Sequence, residues 1–177
     1  MIELNAKPSR ITSSLIGLSA PSDLDQVGVD AFWMERALAL AQQAESLGEV
    51  PVGALVVIDG VCVSEAFNQP ISQSDPTAHA EMLALREAAK KVQNYRLVNA
   101  TLYVTLEPCT MCAGALIHAR VQRVVYATTE PRTGAAGSVF NVLQNDQLNH
   151  RCEVHSGLMA DQASRKMLMS RTDAKID

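Results

Sequence analysis

Aromatic side chains are scarce in this sequence. One Trp, three Tyr and three Phe make up 4% of 177 residues, so a core must be built mainly from aliphatic side chains. No apolar run approaches the roughly 18 residues that a membrane-spanning helix needs. Leu15 to Ala20 is too short, and too interrupted by Gly17 and Ser19, to be the core of a secretory signal. These absences predict a cytoplasmic protein with no membrane partner. Positive charge is also in deficit, with 15 Lys and Arg against 19 Asp and Glu and a formal net charge of −4. That excludes nucleic-acid binding through a broad basic surface, so any RNA contact must be local. Basic residues gather at Arg120 and Arg123, at Arg132, and at Arg165, Lys166, Arg171 and Lys175, and each reads alone as a solvated surface charge. Four cysteines are too few and too unevenly spaced for the framework of a small secreted domain, and they point to metal or redox chemistry instead.

What is present is a globular balance of 47% apolar and 19% charged residues, in a chain long enough for one domain and too short for two. Residues 1–28 lack sustained periodicity and contain Pro8, Pro21 and Gly28, which reads as a flexible or loosely packed extension. From Asp30, a predicted N-cap, Trp33, Ala37, Leu40, Ala41, Ala44 and Leu47 recur at helical spacing until Gly48 closes the helix. Val52 to Asp59 and Val61 to Phe67 have strand composition, and Asp59-Gly60 between them is a strong hairpin signal. Residues 68–76 read as a loop. A helix is predicted from His79 to about Lys91, a buried strand over 101–105, and a further helix starting at Cys109 after Pro108. Strands over 121–128 and 151–155, a Gly-rich turn over 133–138 between them and a terminal helix over 160–170 complete an α/β order, a sheet covered by helices.

The chemistry lies in two short pieces, His79-Ala80-Glu81 and, thirty residues on, Pro108-Cys109-Thr110-Met111-Cys112. Both fall at predicted helix starts. Positions three apart share a helix face, so Cys109 and Cys112 can point at one ion, and the helix N-terminus lowers a thiolate's pKa below its free value of about 8.5. Two sulfurs and an imidazole suit tetrahedral Zn²⁺, and three protein ligands leave one position open for a water whose pKa zinc lowers to about 7. Glu81 is spaced to reach that water without ligating the metal, as a general acid and base. A lone Cys-x-x-Cys is a weak signal and a lone His-x-Glu weaker still. In this order they resemble the signature of the zinc-dependent enzymes that deaminate bases. Cys62 and Cys152 read as core cysteines, and His118, six residues after Cys112, falls on another helix face.

The similarity extends beyond that signature. Glu49 to Ala54, Asn68 to Ile71, Asp75 to Glu81, Gln93 to Leu97, Thr101 to His118 and Thr133 to Ser138 resemble the bacterial tRNA adenosine deaminases, from about residue 30 to about 162. The resemblance implies a cytidine deaminase-like, three-layer α/β/α sandwich around a central mixed five-stranded sheet, with residues 29–170 as the deaminase domain and 171–177 as a tail. It also implies one zinc per subunit on His79, Cys109 and Cys112, Glu81 as the proton shuttle, and a homodimer that converts wobble adenosine to inosine in a tRNA anticodon loop, usually that of an arginine tRNA. Asn68 matches the family's base-binding asparagine, although its local setting before Pro70 also suits an Asx turn. Glu130 and Arg132 fall where the family touches RNA.

The chain departs from the family at two places. Glu130 replaces an aspartate, and Met167, Leu168, Met169, Ser170 and Arg171 stand where the final helix commonly carries paired aromatics followed by arginines. The competing readings are a zinc deaminase of a free base such as guanine, a zinc module closed by Cys62 or Cys152, and a redox Cys109/Cys112 pair.

Overall fold

The computed structural model of the chain describes residues 16–165. Its elements, in chain order, are α1 (Gln26–Ser46), β1 (Gly53–Ile58), β2 (Val61–Phe67), α2 (Pro70–Gln73), α3 (Ala80–Val92), β3 (Ala100–Leu106), α4 (Thr110–His118), β4 (Arg123–Thr128) and β5 (Glu153–Ser156). Residues 160–165 are again helical. The part of the expected last helix from Lys166 onward, with Met167 to Arg171, lies outside the described residues, as do residues 1–15.

Asp59 and Gly60 both take positive φ, 48° and 79°, which lets a two-residue turn join β1 to β2 with Ile58 opposite Val61. The sheet order is β2-β1-β3-β4-β5; β1 runs antiparallel to both neighbours, while β3, β4 and β5 are parallel. This is the mixed five-stranded sheet expected. Alternate residues of each strand face opposite sides. Ala54, Val56, Leu102, Val104, Val124 and Tyr126 pack with α3 and α4 in one cluster. Leu55, Val57, Tyr103, Val125 and Ala127 pack with α1 and Ala163 in a second. Helices therefore cover both faces, giving the three layers. A Cβ on Gly53 would lie 2.2 Å from the Ala37 carbonyl oxygen, so only glycine lets β1 start this close to α1.

Three expectations need correction. Helix α1 is capped five residues earlier than predicted, at Asp25, whose side chain accepts the Gly28 amide at 2.8 Å. Asp30 is instead a buried side chain, bound by Arg123 at 2.7 and 2.6 Å, by the Tyr103 hydroxyl at 2.8 Å and by Gln26 at 2.9 Å. Arg123 is consequently a structural ion-pair partner and not a solvated charge. The predicted loop over 68–76 contains α2, whose Ile71 and Ser72 amides are accepted by the buried Glu49 carboxylate at 3.3 and 2.7 Å. Glu49 performs from a distance the capping that α2's own flanking residue Gln69 does not. Upstream of α1, the Gly17 amide donates to the Cys62 carbonyl at 2.7 Å, and Ser19 bridges Val61 at the edge of β2.

Burial alone would raise the Asp30 pKa; the hydrogen bonds from Arg123, Tyr103 and Gln26 outweigh it and hold the carboxyl below its usual 3.8. A depressed folded pKa means that the stabilisation is present above the unfolded value and is lost as pH falls through the folded one. Asp30→Asn should lower stability in urea at pH 7 by about 3–5 kcal/mol, because it strands a buried guanidinium. The variant should also lose less stability than wild type on acidification through and below pH 3.8. An equal acid dependence in both proteins would contradict the assignment.

Candidate active site

The C-terminal ends of the parallel strands β3 and β4 and the N-termini of α3 and α4 converge on one side of the sheet. His79 is the N-cap of α3 and Cys109 the N-cap of α4, both in extended backbone, and neither side chain caps its own helix. Their side chains turn toward each other instead. His79 Nδ1 lies 3.8 Å from Cys109 Sγ and 3.6 Å from Cys112 Sγ, and the two sulfurs are 3.7 Å apart. A tetrahedral zinc with bonds of about 2.3 Å to sulfur and about 2.0–2.1 Å to nitrogen spaces its ligands about 3.8 Å (S to S) and about 3.6 Å (S to N). The donor set and its spacing fit zinc. Among the described residues this is the one group of three or more His, Cys, Asp or Glu side chains that can hold a metal.

Glu81, in the first turn of α3, is 3% exposed, and its Oε2 has no hydrogen-bond partner. An orphaned buried carboxylate oxygen is costly, and active sites are where such cost is tolerated. Burial raises the Glu81 pKa above its ordinary value. Hydrogen bonding to Cys112 brings the Cys109 thiol down to about 4, and hydrogen bonding to Cys109 raises the His79 pKa. Cys112 moves the other way, through its hydrogen bond to Cys109 and its burial. The pair thus favours a thiolate at Cys109 even before a metal adds its charge.

Asn68 is buried, and its Oδ1 accepts the Ala80 amide at 2.8 Å. The local Asx turn is not formed; the carbonyl instead satisfies the first amide of α3, beside His79. Cys62 and Cys152 are buried in the core, with their thiols donating to the Ser64 and Val121 carbonyls at 3.7 and 3.1 Å. Neither belongs to the metal group, and nor does the exposed His118.

Glu130 and Arg132 lie together in the loop after β4, where the Glu130 side chain accepts the Arg132 amide at 3.0 Å. Glu130 is buried and Arg132 exposed. The loop returns to the zinc group: the Ala135 amide donates to the Pro108 carbonyl at 2.8 Å, and Gly134 bridges Cys109. Sequence reasoning missed Glu107, the buried residue after β3. Its carboxylate accepts the Glu130, Ala136 and Ser138 amides at 3.0, 2.9 and 3.0 Å, and the Ser138 hydroxyl. Burial would raise its pKa, but these donors hold it below the ordinary carboxylate value. The available signal was an acidic residue set between a buried strand and a proline-cysteine helix start, where a carboxylate needs several donors.

Residues 28–128 match the family model of the cytidine and deoxycytidylate deaminase zinc-binding region. A tRNA-specific adenosine deaminase of Haemophilus influenzae is 53% identical over 139 residues, which cover 78% of this chain and 80% of the relative. A solved structure from work on A-to-I editing by tRNA:A34 deaminases at the wobble position of transfer RNA has a TM-score of 0.74 at 38% identity, over 76% of this chain and 98% of that one. A guanine deaminase from Bacillus subtilis has a TM-score of 0.55 at 39% identity, over 62% of this chain and 69% of that one. The family match carries His79, Glu81, Cys109 and Cys112 within its bounds, and the bacterial relative is matched along four-fifths of its own length. On these grounds the chain belongs to the tRNA-specific adenosine deaminases, within the zinc-dependent cytidine and deoxycytidylate deaminase family.

Proposed function

We propose that this enzyme hydrolyses the exocyclic amine of the wobble adenosine in a tRNA anticodon, that of an arginine tRNA, leaving inosine and releasing ammonia. The observation that carries the reading is Glu81, a buried carboxylate with an unpaired oxygen beside three zinc-competent donors. His79, Cys109 and Cys112 would hold the ion. When bound, zinc supplies Lewis acidity and brings the pKa of a water down to about 7. Glu81 takes a proton from the attacking water and delivers it to the departing amine: the C–O bond forms at the base carbon, the C–N bond then breaks, and the remaining hydroxyl proton passes to the adjacent ring nitrogen as the carbonyl of inosine forms. Asn68, its carbonyl committed to Ala80, presents its amide nitrogen as a donor to an acceptor on the base. Glu130 and Arg132 act on the RNA beside the target nucleotide.

An anticodon loop offers the base already unpaired, which minimises the few kcal/mol needed to extrude it. Local reading of splayed bases is compatible with a net charge of −4. The homodimer belongs to the same proposal, as does action in the cytoplasm; no helix among the described residues is long and apolar enough to cross a membrane. Exposed Val139 and Phe140, just beyond the Glu107-bound loop, offer apolar surface for a second subunit. Purified protein incubated with an arginine tRNA transcript should produce inosine at the wobble position, read by nucleoside mass spectrometry. Ammonia release from free guanine with no inosine in the tRNA would overturn the reading.

A further inference from the structure

We propose that Glu107 is a positioning residue that holds the RNA-reading loop in register with the zinc-ligand segment. The inference rests on the function proposed above and assigns a role to a residue outside the reacting group. Glu107 follows β3 and precedes Pro108-Cys109, so its backbone is continuous with a zinc ligand. Its side chain is 2% exposed and is aimed at the loop after the neighbouring parallel strand, β4. One oxygen accepts the Ala136 and Ser138 amides; the other accepts the Glu130 amide and the Ser138 hydroxyl. Those contacts tie down both ends of the segment that carries Glu130 and Arg132. Gly134 crosses directly over the carboxylate, where a Cβ would meet the Glu107 Cδ and Oε2 at 2.5 Å.

This geometry links recognition to chemistry. A carboxylate accepts from several directions at once, and each bond to it is charge-assisted, so one side chain can fix three backbone amides of an irregular loop. An apolar residue of the same size would fill the space without choosing among loop registers. The backbone bond from Ala135 to Pro108 and the bridge between Gly134 and Cys109 anchor the middle of the loop, and the carboxylate fixes it on either side of that anchor, at Glu130 and at Ala136 and Ser138. With Glu107 in place, Glu130 and Arg132 sit at a set distance from Cys109. Displacement by about 1 Å of a group that positions the substrate can cost on the order of a hundredfold in kcat/KM.

The test compares wild type, Glu107→Gln, Glu107→Asp and Ser138→Ala. In Glu107→Gln one oxygen becomes an amide NH₂ that opposes the Glu130 amide donor or abandons the Ala136 and Ser138 amides. The expected result is one zinc per chain, faster hydrogen exchange at Glu130, Ala136 and Ser138, and a KM for an anticodon stem-loop raised roughly ten- to hundredfold with a much smaller change in kcat. Glu107→Asp should recover part of the loss. Ser138 is exposed, so Ser138→Ala should fold normally and raise KM a few-fold. A folded, zinc-loaded Glu107→Gln with wild-type KM would overturn the positioning role. So would activity lost only in proportion to lost zinc, since that would make Glu107 a support of the metal ligand alone. If wild type forms no inosine the functional reading fails, whereas hydrogen exchange still reports whether Glu107 holds the loop.

Discussion

Glu81→Ala should keep one zinc per chain and lose inosine formation by at least about 10²- to 10⁴-fold, the usual range for removal of a positioned acid-base group. Retention of the metal is expected because the carboxylate is not among the three ligand atoms that meet within 4.8 Å of one another. The fold should also hold. The Glu81 Oε2 is unpaired in the native protein, so alanine removes a buried polar group that has little to lose and leaves a small cavity in its place. Stability should therefore stay level or rise while turnover collapses, the trade expected where an active site keeps an unfavourable group for chemistry. Metal analysis, thermal unfolding and an inosine assay on one preparation separate the outcomes. Zinc lost together with activity would place Glu81 in the coordination shell and overturn its assignment as the proton carrier.

Cys112→Ser should act by a different route. A hydroxyl is a poor substitute for a thiolate at a borderline-soft ion, so zinc content should fall well below one per chain after dialysis against a mild chelator. Activity should fall by at least about 10³-fold, since the Lewis acid contributes several kcal/mol to the transition state and each 1.4 kcal/mol is tenfold. The chain should remain folded, because both core clusters are built without the metal and bury their aliphatic side chains independently of it. Chelated wild type should regain activity when zinc is returned and the variant should not. Stoichiometric zinc and normal turnover in Cys112→Ser would remove Cys112 from the ligand set.

The legible parts of this protein are those in which cause and effect are close in sequence. Asp59-Gly60 marks the hairpin because the turn's dihedral demands fall on those two residues. His79, Glu81, Cys109 and Cys112 could be grouped because each pair sits at a helix start, where spacing dictates geometry. Asp30 shows the opposite case. A polar residue ahead of an apolar helical repeat resembles a cap, and nothing local reveals an arginine 93 positions away that binds it. Glu49 and Glu107 were opaque for the same reason. A buried carboxylate is recognised by its donors, and these donors are backbone amides, which any sequence supplies. Helix α2 escaped because Pro70 and its neighbours read equally well as a turn until Glu49 accepts two of its amides.

The placement of β3 also governs when the site can exist during folding. The β1–β2 hairpin and α3 close over short stretches, but β3 must be inserted between β1, which precedes it, and β4, which follows α4. His79 lies on one side of that insertion in sequence and both cysteines on the other. Until β3 docks, the imidazole and the thiols are joined only by about thirty residues of incompletely ordered chain, and that loop must be closed before one ion can hold all three. The donors are therefore brought together by the same strand that completes the centre of the sheet, and a change that weakens β3 docking is expected to weaken zinc retention as well as stability.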